Sequence, residues 1–256
     1  MAKGNDGNVL QHGIELAIVS AIELRPLFLT CTHTMAPREH CDDPSRDRRL
    51  RHWLNVDTET PSVAKAYRDT NASLDSYPNT SELVASQVGN ADLRGDLFEV
   101  CPNKINALNE RWDDHLVTVR GQSWRTGLSD ISIPTVNDAW LFTMDPMTFV
   151  SNSPDADDDH NLRPNDIDHL IRFFANLGTF GDHWVISIFC FELRRGPGVN
   201  RYELFLNEME RLGNSLGLQH ETYEVSYGNP HVGSVFSRSH AMLNEIRTEW
   251  NTLHNV

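Results

Sequence analysis

Much of what would place this chain at a glance is missing from it. No apolar run reaches the roughly 18 residues that a membrane-spanning helix needs, so no membrane association is expected. The opening stretch, MAKGNDGNVLQHG, has no basic segment leading into an apolar one, so no secretory signal is expected. The four cysteines, Cys31, Cys41, Cys101 and Cys190, form no C-x-x-C pair. Without an export signal they are expected to stay reduced, in a cytoplasmic protein. Basic charge is scarce: 22 Lys and Arg face 36 Asp and Glu, a formal net charge of −14. A surface that acidic repels phosphate as a whole and argues against a general nucleic-acid coat protein, although a local basic patch can still act alone. There is no internal repeat, and nothing sets the oligomeric state.

What is present suffices for one large α/β domain or two small ones. The 256 residues are 39% hydrophobic and 23% charged, a balance that builds a core and excludes wholesale disorder. Val9, Leu10, Gly13, Ile14, Ala17, Ile18, Ala21 and Ile22 recur at helical spacing, which predicts an amphipathic helix over 9–24, stopped by Pro26. Leu27–Thr30 predicts a short buried strand running into Cys31-Thr32-His33. Residues 38–76 are polar, with a basic cluster at Arg46, Arg48, Arg49 and Arg51, and predict a partly helical insertion, not a separate domain. A helix is expected over 81–88. From there strands at 96–100, 116–120, 139–144 and 184–191 are interleaved with helices at 102–112, 164–177 and 200–216. Gly178 and Gly217 close the last two helices. Two strands, 221–227 and 232–237, read as a hairpin joined by Gly228-Asn229-Pro230-His231, and a helix follows at 239–253.

Strands alternating with helices imply a largely parallel sheet covered on both faces. The expectation is a single α/β domain of the Rossmann-like methyltransferase type, with a mostly parallel seven-stranded sheet and a terminal antiparallel hairpin. Ligands in such sheets sit beyond the carboxyl ends of the strands. His33, Glu99, Asp145 and Gln122 lie at those ends.

Five stretches, in order, resemble a known family. Gly4-Asn5-Asp6-Gly7-Asn8-Val9-Leu10-Gln11-His12 is similar to its N-terminal "GN…DVLKH" helix, and Leu29-Thr30-Cys31-Thr32-His33 to its first strand, which ends "LDTHAGAG". Tyr77-Pro78-Asn79, with Glu82-Leu83-Val84-Ala85, is similar to "YPGSPLIA". Leu97-Phe98-Glu99-Val100-Cys101-Pro102 resembles the second strand, "ELHP", and Leu141-Phe142-Thr143-Met144-Asp145-Pro146 resembles "LIDPPY". The family is the bacterial 23S ribosomal RNA adenine-N6 methyltransferases, whose helical insertion falls where 38–76 lies here. The resemblance implies S-adenosylmethionine as cofactor and an RNA or DNA substrate. It implies that Glu99 accepts hydrogen bonds from the ribose hydroxyls, a task suited to a carboxylate's two oxygens. It also implies that His12, His33 and Asn79 line the cofactor site and that Gln122 bonds the cofactor's adenine. Asp145 is then catalytic, holding the target amine beside the methyl donor. Methyl transfer is an in-line displacement, so positioning is most of the catalysis.

Three departures from the family keep a second reading open. Thr34-Met35-Ala36-Pro37 replaces its glycine-rich turn. Asp145-Pro146-Met147-Thr148 replaces DPPY, leaving Phe149 as the nearest aromatic residue to stack on a target base. Gly121-Gln122-Ser123 replaces an acid after the third strand. The second reading is a relative that keeps the fold but has lost the chemistry and acts as a binding or scaffold module; a third is another ligand, such as a nucleotide, in the same crevice. Each candidate also has a plain structural reading: Asp145-Pro146 as a turn, Glu99 as a surface acid, His33 and His12 as packed or hydrogen-bonded histidines. Cys31-x-His33 with His40-Cys41 lacks standard zinc spacing. The acidic run at Asp155, Asp157, Asp158 and Asp159 lacks the glycine and distal glutamate of a calcium loop. No metal is expected.

Overall fold

The computed structural model describes residues 6–34, 63–70, 78–113, 115–146, 148–151, 161–191, 193, 200–227 and 229–254. Seven strands make the main sheet: β1 (Leu27–Cys31), β2 (Leu93–Phe98), β3 (Val117–Arg120), β4 (Ala139–Met144), β7 (Trp184–Cys190), β8 (Gln219–Tyr227) and β9 (Asn229–Ser237). A separate two-stranded ribbon pairs β5 (Thr148–Phe149) with β6 (Asn161–Leu162). The sheet order is β3-β2-β1-β4-β7-β9-β8. β1, β2, β3, β4 and β7 pair in parallel, and β9 runs antiparallel to both β7 and β8. The chain thus winds outward from β1 on one side and from β4 on the other, with one reversed strand set between β7 and β8. That is the Rossmann-like methyltransferase architecture, and its switch point lies between β1 and β4.

The period-two alternation of the strands sorts their side chains onto two cores. Leu141 and Val185 join the cluster under α1 (Asp6–Ala21), α3 (Thr80–Val88), α4 (Pro102–Trp112) and α8 (His240–His254). Their neighbours Trp140, Phe142 and Ile186 join the cluster on the opposite face, under α5 (Trp124–Gly127), α6 (Pro164–Asn176) and α7 (Arg201–Leu216). Helix α1 is buried along 10–19 on every side, packed against α8, α3, β9 and β8.

Some expected boundaries move. The first helix spans 6–21, not 9–24: Pro26 disfavours helical backbone at Arg25, whose guanidinium instead donates to the Ile22 carbonyl (2.6 Å). Strand β2 begins at Leu93, three residues early, because Leu93 pairs with Leu27. Gly95 is what permits it. At φ +130 it lies against the Leu29 carbonyl, in space that a Cβ would occupy. The strand stops at Phe98 because Glu99 Oε1 accepts the Val100 and Cys101 N–H groups, each at 2.8 Å. The hairpin is tighter than 228–231 suggests: Tyr227 pairs with Asn229 and Ser226 with Pro230, so pairing overrides the turn-like composition. Sequence patterning also gave no sign of α5, of the 3-10 turn at Leu128–Asp130 or of the β5–β6 ribbon.

Within the expected insertion, α2 (Val63–Asp69) is helical. The rest of 38–76 apart from Thr70 lies outside the described residues, as do Gly4, Asn5, Met35, Pro37, His40, Cys41, the arginines at 46–51, Tyr77, Met147 and the acidic run at 155–159. Among the described residues, no helix is long and apolar enough to cross a membrane.

Candidate functional site

The sheet register explains why three of the expected residues share one edge. Cys31 pairs with Leu97 on β2 and with Thr143 on β4. His33, Glu99 and Asp145 each stand two residues beyond that common row, at the carboxyl ends of adjacent strands. Backbone bonds extend the ladder past the strands: Thr32 N donates to Thr143 O (3.1 Å), Thr34 N to Phe98 O (2.9 Å) and Glu99 N to Arg120 O (3.2 Å). The row straddles the switch point, where sheets of this kind hold their ligands.

Each residue has a local reason for its position. Glu99 is 7% exposed. Its Oε1 is held by the two N–H groups that precede α4, at a helix start where backbone donors lack intrahelical partners. His33 is half-buried. Its Nδ1 lies 2.7 Å from the Thr32 hydroxyl, and its ring faces Trp124 at 6.3 Å. Gln122 follows β3, its backbone N donating to Arg120 O (2.8 Å). Its amide rests over Gly127, where a Cβ would stand 2.5 Å from Gln122 Nε2 and 2.6 Å from the Phe98 ring. Asn79 is the N-cap of α3. It accepts the Glu82 N–H (3.0 Å) and the Ser81 hydroxyl (2.7 Å), while Glu82 accepts the Asn79 N–H (3.2 Å) to complete a capping box. His12 is buried on α1, with Nδ1 2.8 Å from the Tyr67 hydroxyl of α2.

Sequence reasoning missed the polar chain that joins these helices to β4. Thr143 donates its hydroxyl hydrogen to Glu15 Oε1 (2.8 Å). Gln11 Nε2 donates to the same oxygen (3.3 Å) and to the Thr80 hydroxyl (3.0 Å). Thr143, Glu15, Gln11 and Thr80 therefore form one hydrogen-bonded path from β4 to the first residue of α3, with Asp145 two residues beyond Thr143 and Asn79 next to Thr80 in the chain. Burial, with the Asp145 charge nearby, pushes the Glu15 carboxyl from its ordinary 4.5 up to about 8. The available signal was an acid at Glu15 set directly among Ile14, Leu16, Ala17 and Ile18.

On the opposite flank Arg125 forks onto Asp166 (2.7 and 2.9 Å) and donates to Asn161 O (2.6 Å), tying α5 to β6 and α6. His169 lies 6.0 Å from the Trp124 ring, its pKa lowered by burial and by Arg172. Phe149 does not stand open as a stacking residue: it is fully buried and meets Phe205 of α7 edge-on at 5.7 Å. Burial pushes the Cys31 thiol up to about 12, which makes it an inert group and a poor metal ligand. Among the described residues, no three His, Cys, Asp or Glu side chains form a metal-binding group.

No family model matches the sequence, and no curated protein matches it. Solved structures match in fold. Protein LPL1258 from Legionella pneumophila str. Philadelphia 1, assigned to family model DUF519, aligns over 98% of this chain and 92% of its own at 17% identity, with a TM-score of 0.64. An rRNA methylase from Streptococcus thermophilus aligns over 89% of this chain and 96% of its own at 7% identity, TM-score 0.42. The mitomycin 7-O-methyltransferase MmcR aligns over 89% of this chain and 53% of its own at 11% identity, TM-score 0.42. The first likeness is one of fold.

Proposed function

We propose that the protein is an S-adenosylmethionine-dependent methyltransferase acting on an amine of a nucleic-acid base. The observation that carries this reading is that His33, Glu99 and Asp145 each follow by two residues one register row, Cys31, Leu97 and Thr143, at the carboxyl edge of the sheet's switch point. The acceptors along that edge suit a nucleoside cofactor. Glu99 would take the ribose hydroxyls through the oxygen not engaged by Val100 and Cys101. Gln122 would bond the adenine, with His12 and His33 lining the site and Asn79 acting through the start of α3. The cofactor's contribution when bound is an electrophilic methyl group on a sulfonium. Asp145 accepts a hydrogen from the target amine and aims its lone pair along the line of displacement.

Calorimetry tests the first half of this reading. S-adenosylmethionine and its demethylated product should bind with micromolar affinity, weakened about tenfold or more by Glu99→Ala. No detectable binding of either would overturn the reading. Transfer of a labelled methyl group to RNA or DNA fragments, abolished by Asp145→Ala, tests the second half. The burial of Phe149 favours a second reading, a fold-keeping binding module, because it takes away the first aromatic residue after Asp145-Pro146 as a stacking platform for a target base. Under that reading cofactor binding occurs without transfer, or not at all.

A further inference from the structure

We infer that Glu15 is a positioning residue: its buried carboxyl takes the Thr143 hydroxyl and fixes the end of β4 that carries Asp145. The inference rests on the proposed role of Asp145 and names the group that holds it in place. Thr143 is the anchor of this edge. Its backbone carbonyl accepts the Thr32 N–H (3.1 Å), which locks β4 to the end of β1, and its hydroxyl reaches down to Glu15 (2.8 Å). Glu15 is 1% exposed on a helix buried on all sides, so its rotamer is fixed by packing.

The surroundings require Glu15 to act as a neutral acid. Among the described residues no cation pairs with it, and the charge that bears on it is the like charge of Asp145. Titratable groups on the surrounding elements include Cys31 on β1, His12 on α1, Lys65, Tyr67 and Arg68 on α2, Glu82 on α3, Cys190 on β7, His231 on β9, and Arg247 and Glu249 on α8. None of them supplies Glu15 with a compensating positive charge. Glu15 Oε2 and Gln11 Oε1, one helical turn apart, are both buried without a hydrogen-bond partner among the described residues. Ionised, Glu15 would leave two buried acceptors with no donor. Protonated, it brings that donor itself and spares Asp145 a second negative charge.

The test compares Glu15→Gln, which mimics the neutral acid, with Glu15→Ala. Isotope-edited infrared spectra of glutamate-labelled protein should show one carboxylic-acid carbonyl band at pH 7 that fades near pH 8 and is absent from Glu15→Gln. Affinity for S-adenosylmethionine should fall about tenfold in Glu15→Ala, recover in Glu15→Gln, and decline above pH 8 in the wild type but not in Glu15→Gln. Absence of the carbonyl band, equal losses in both variants at pH 7, or identical pH profiles for wild type and Glu15→Gln would each overturn the inference. Failure of every form to bind the cofactor removes the proposed function but not the infrared test. In that case Asp145→Asn must still lower the midpoint at which the Glu15 band fades, and an unmoved midpoint would refute the coupling.

Discussion

Replacing Glu15 by glutamine should change how stability depends on pH, and the sign follows from the direction of the shift. In the folded chain the carboxyl titrates near 8, against 4.5 for the ordinary group. Below about 4.5 both folded and unfolded chains hold the proton, and the group contributes its full stability. Between 4.5 and 8 the unfolded chain releases a proton that the folded chain keeps, so that stability is lost as pH rises through the window, at about 1.4 kcal/mol per unit. At pH 7 the loss covers 2.5 units, or about 3 kcal/mol. Glutamine cannot ionise and keeps an acceptor for the Thr143 hydroxyl. Urea unfolding of both proteins from pH 5 to 8.5 gives the difference directly, because titrating groups not coupled to Glu15 cancel in the subtraction. Glu15→Gln should match the wild type within about 1 kcal/mol near pH 5 and exceed it by about 3 kcal/mol at pH 7. A difference that stays flat with pH, or that favours the wild type as pH rises, would refute the reasoning.

Three further substitutions bear on the scaffold. Gly95→Ala forces a Cβ against the Leu29 carbonyl at a positive φ and should cost about 3 kcal/mol or more, read as a lowered urea midpoint. Asn79→Ala removes the α3 cap and should cost about 1 kcal/mol, with faster hydrogen exchange confined to the first turn of α3. Phe149→Ala opens a cavity beside Phe205 and should cost about 3–5 kcal/mol. A Phe149→Ala protein that folds normally but loses methyl transfer would restore Phe149 to the substrate site.

The sheet was legible because its strands carry apolar runs between strong stops: Pro102 and Pro164 begin helices at the expected residues, and Gly217 ends one in the left-handed conformation. Three of the expected site residues emerged from the same pattern, since strand ends are where ligands sit in such sheets. The rest was hidden for physical reasons. Arg94 and Gly95 look like a loop, and only pairing with β1 makes them strand. Gln11 and Glu15 share one turn of α1, but Thr143 lies 128 residues beyond Glu15, and no spacing rule links residues that meet only when α1 comes against β4. Asn79 matched a family motif, yet its visible work is to cap a helix.

The substrate question turns on where positive charge is available. Among the described residues, several arginines already face acids: Arg120 pairs with Asp96, Arg125 with Asp166, Arg211 with Asp168 and Glu208, and Arg247 with Glu221. With a formal net charge of −14 overall, a nucleic acid would have to be held against general repulsion by a small basic patch. The densest basic stretch in the sequence is Arg46, Arg48, Arg49 and Arg51. If these four hold phosphates, the logarithm of RNA affinity should fall with the logarithm of salt concentration at a slope of about −3 to −4. Changing all four to glutamine should flatten that slope and leave S-adenosylmethionine affinity unaltered. A binding curve indifferent to salt, or a steep slope that survives the fourfold change, would move the substrate away from a polyanion gripped by this stretch.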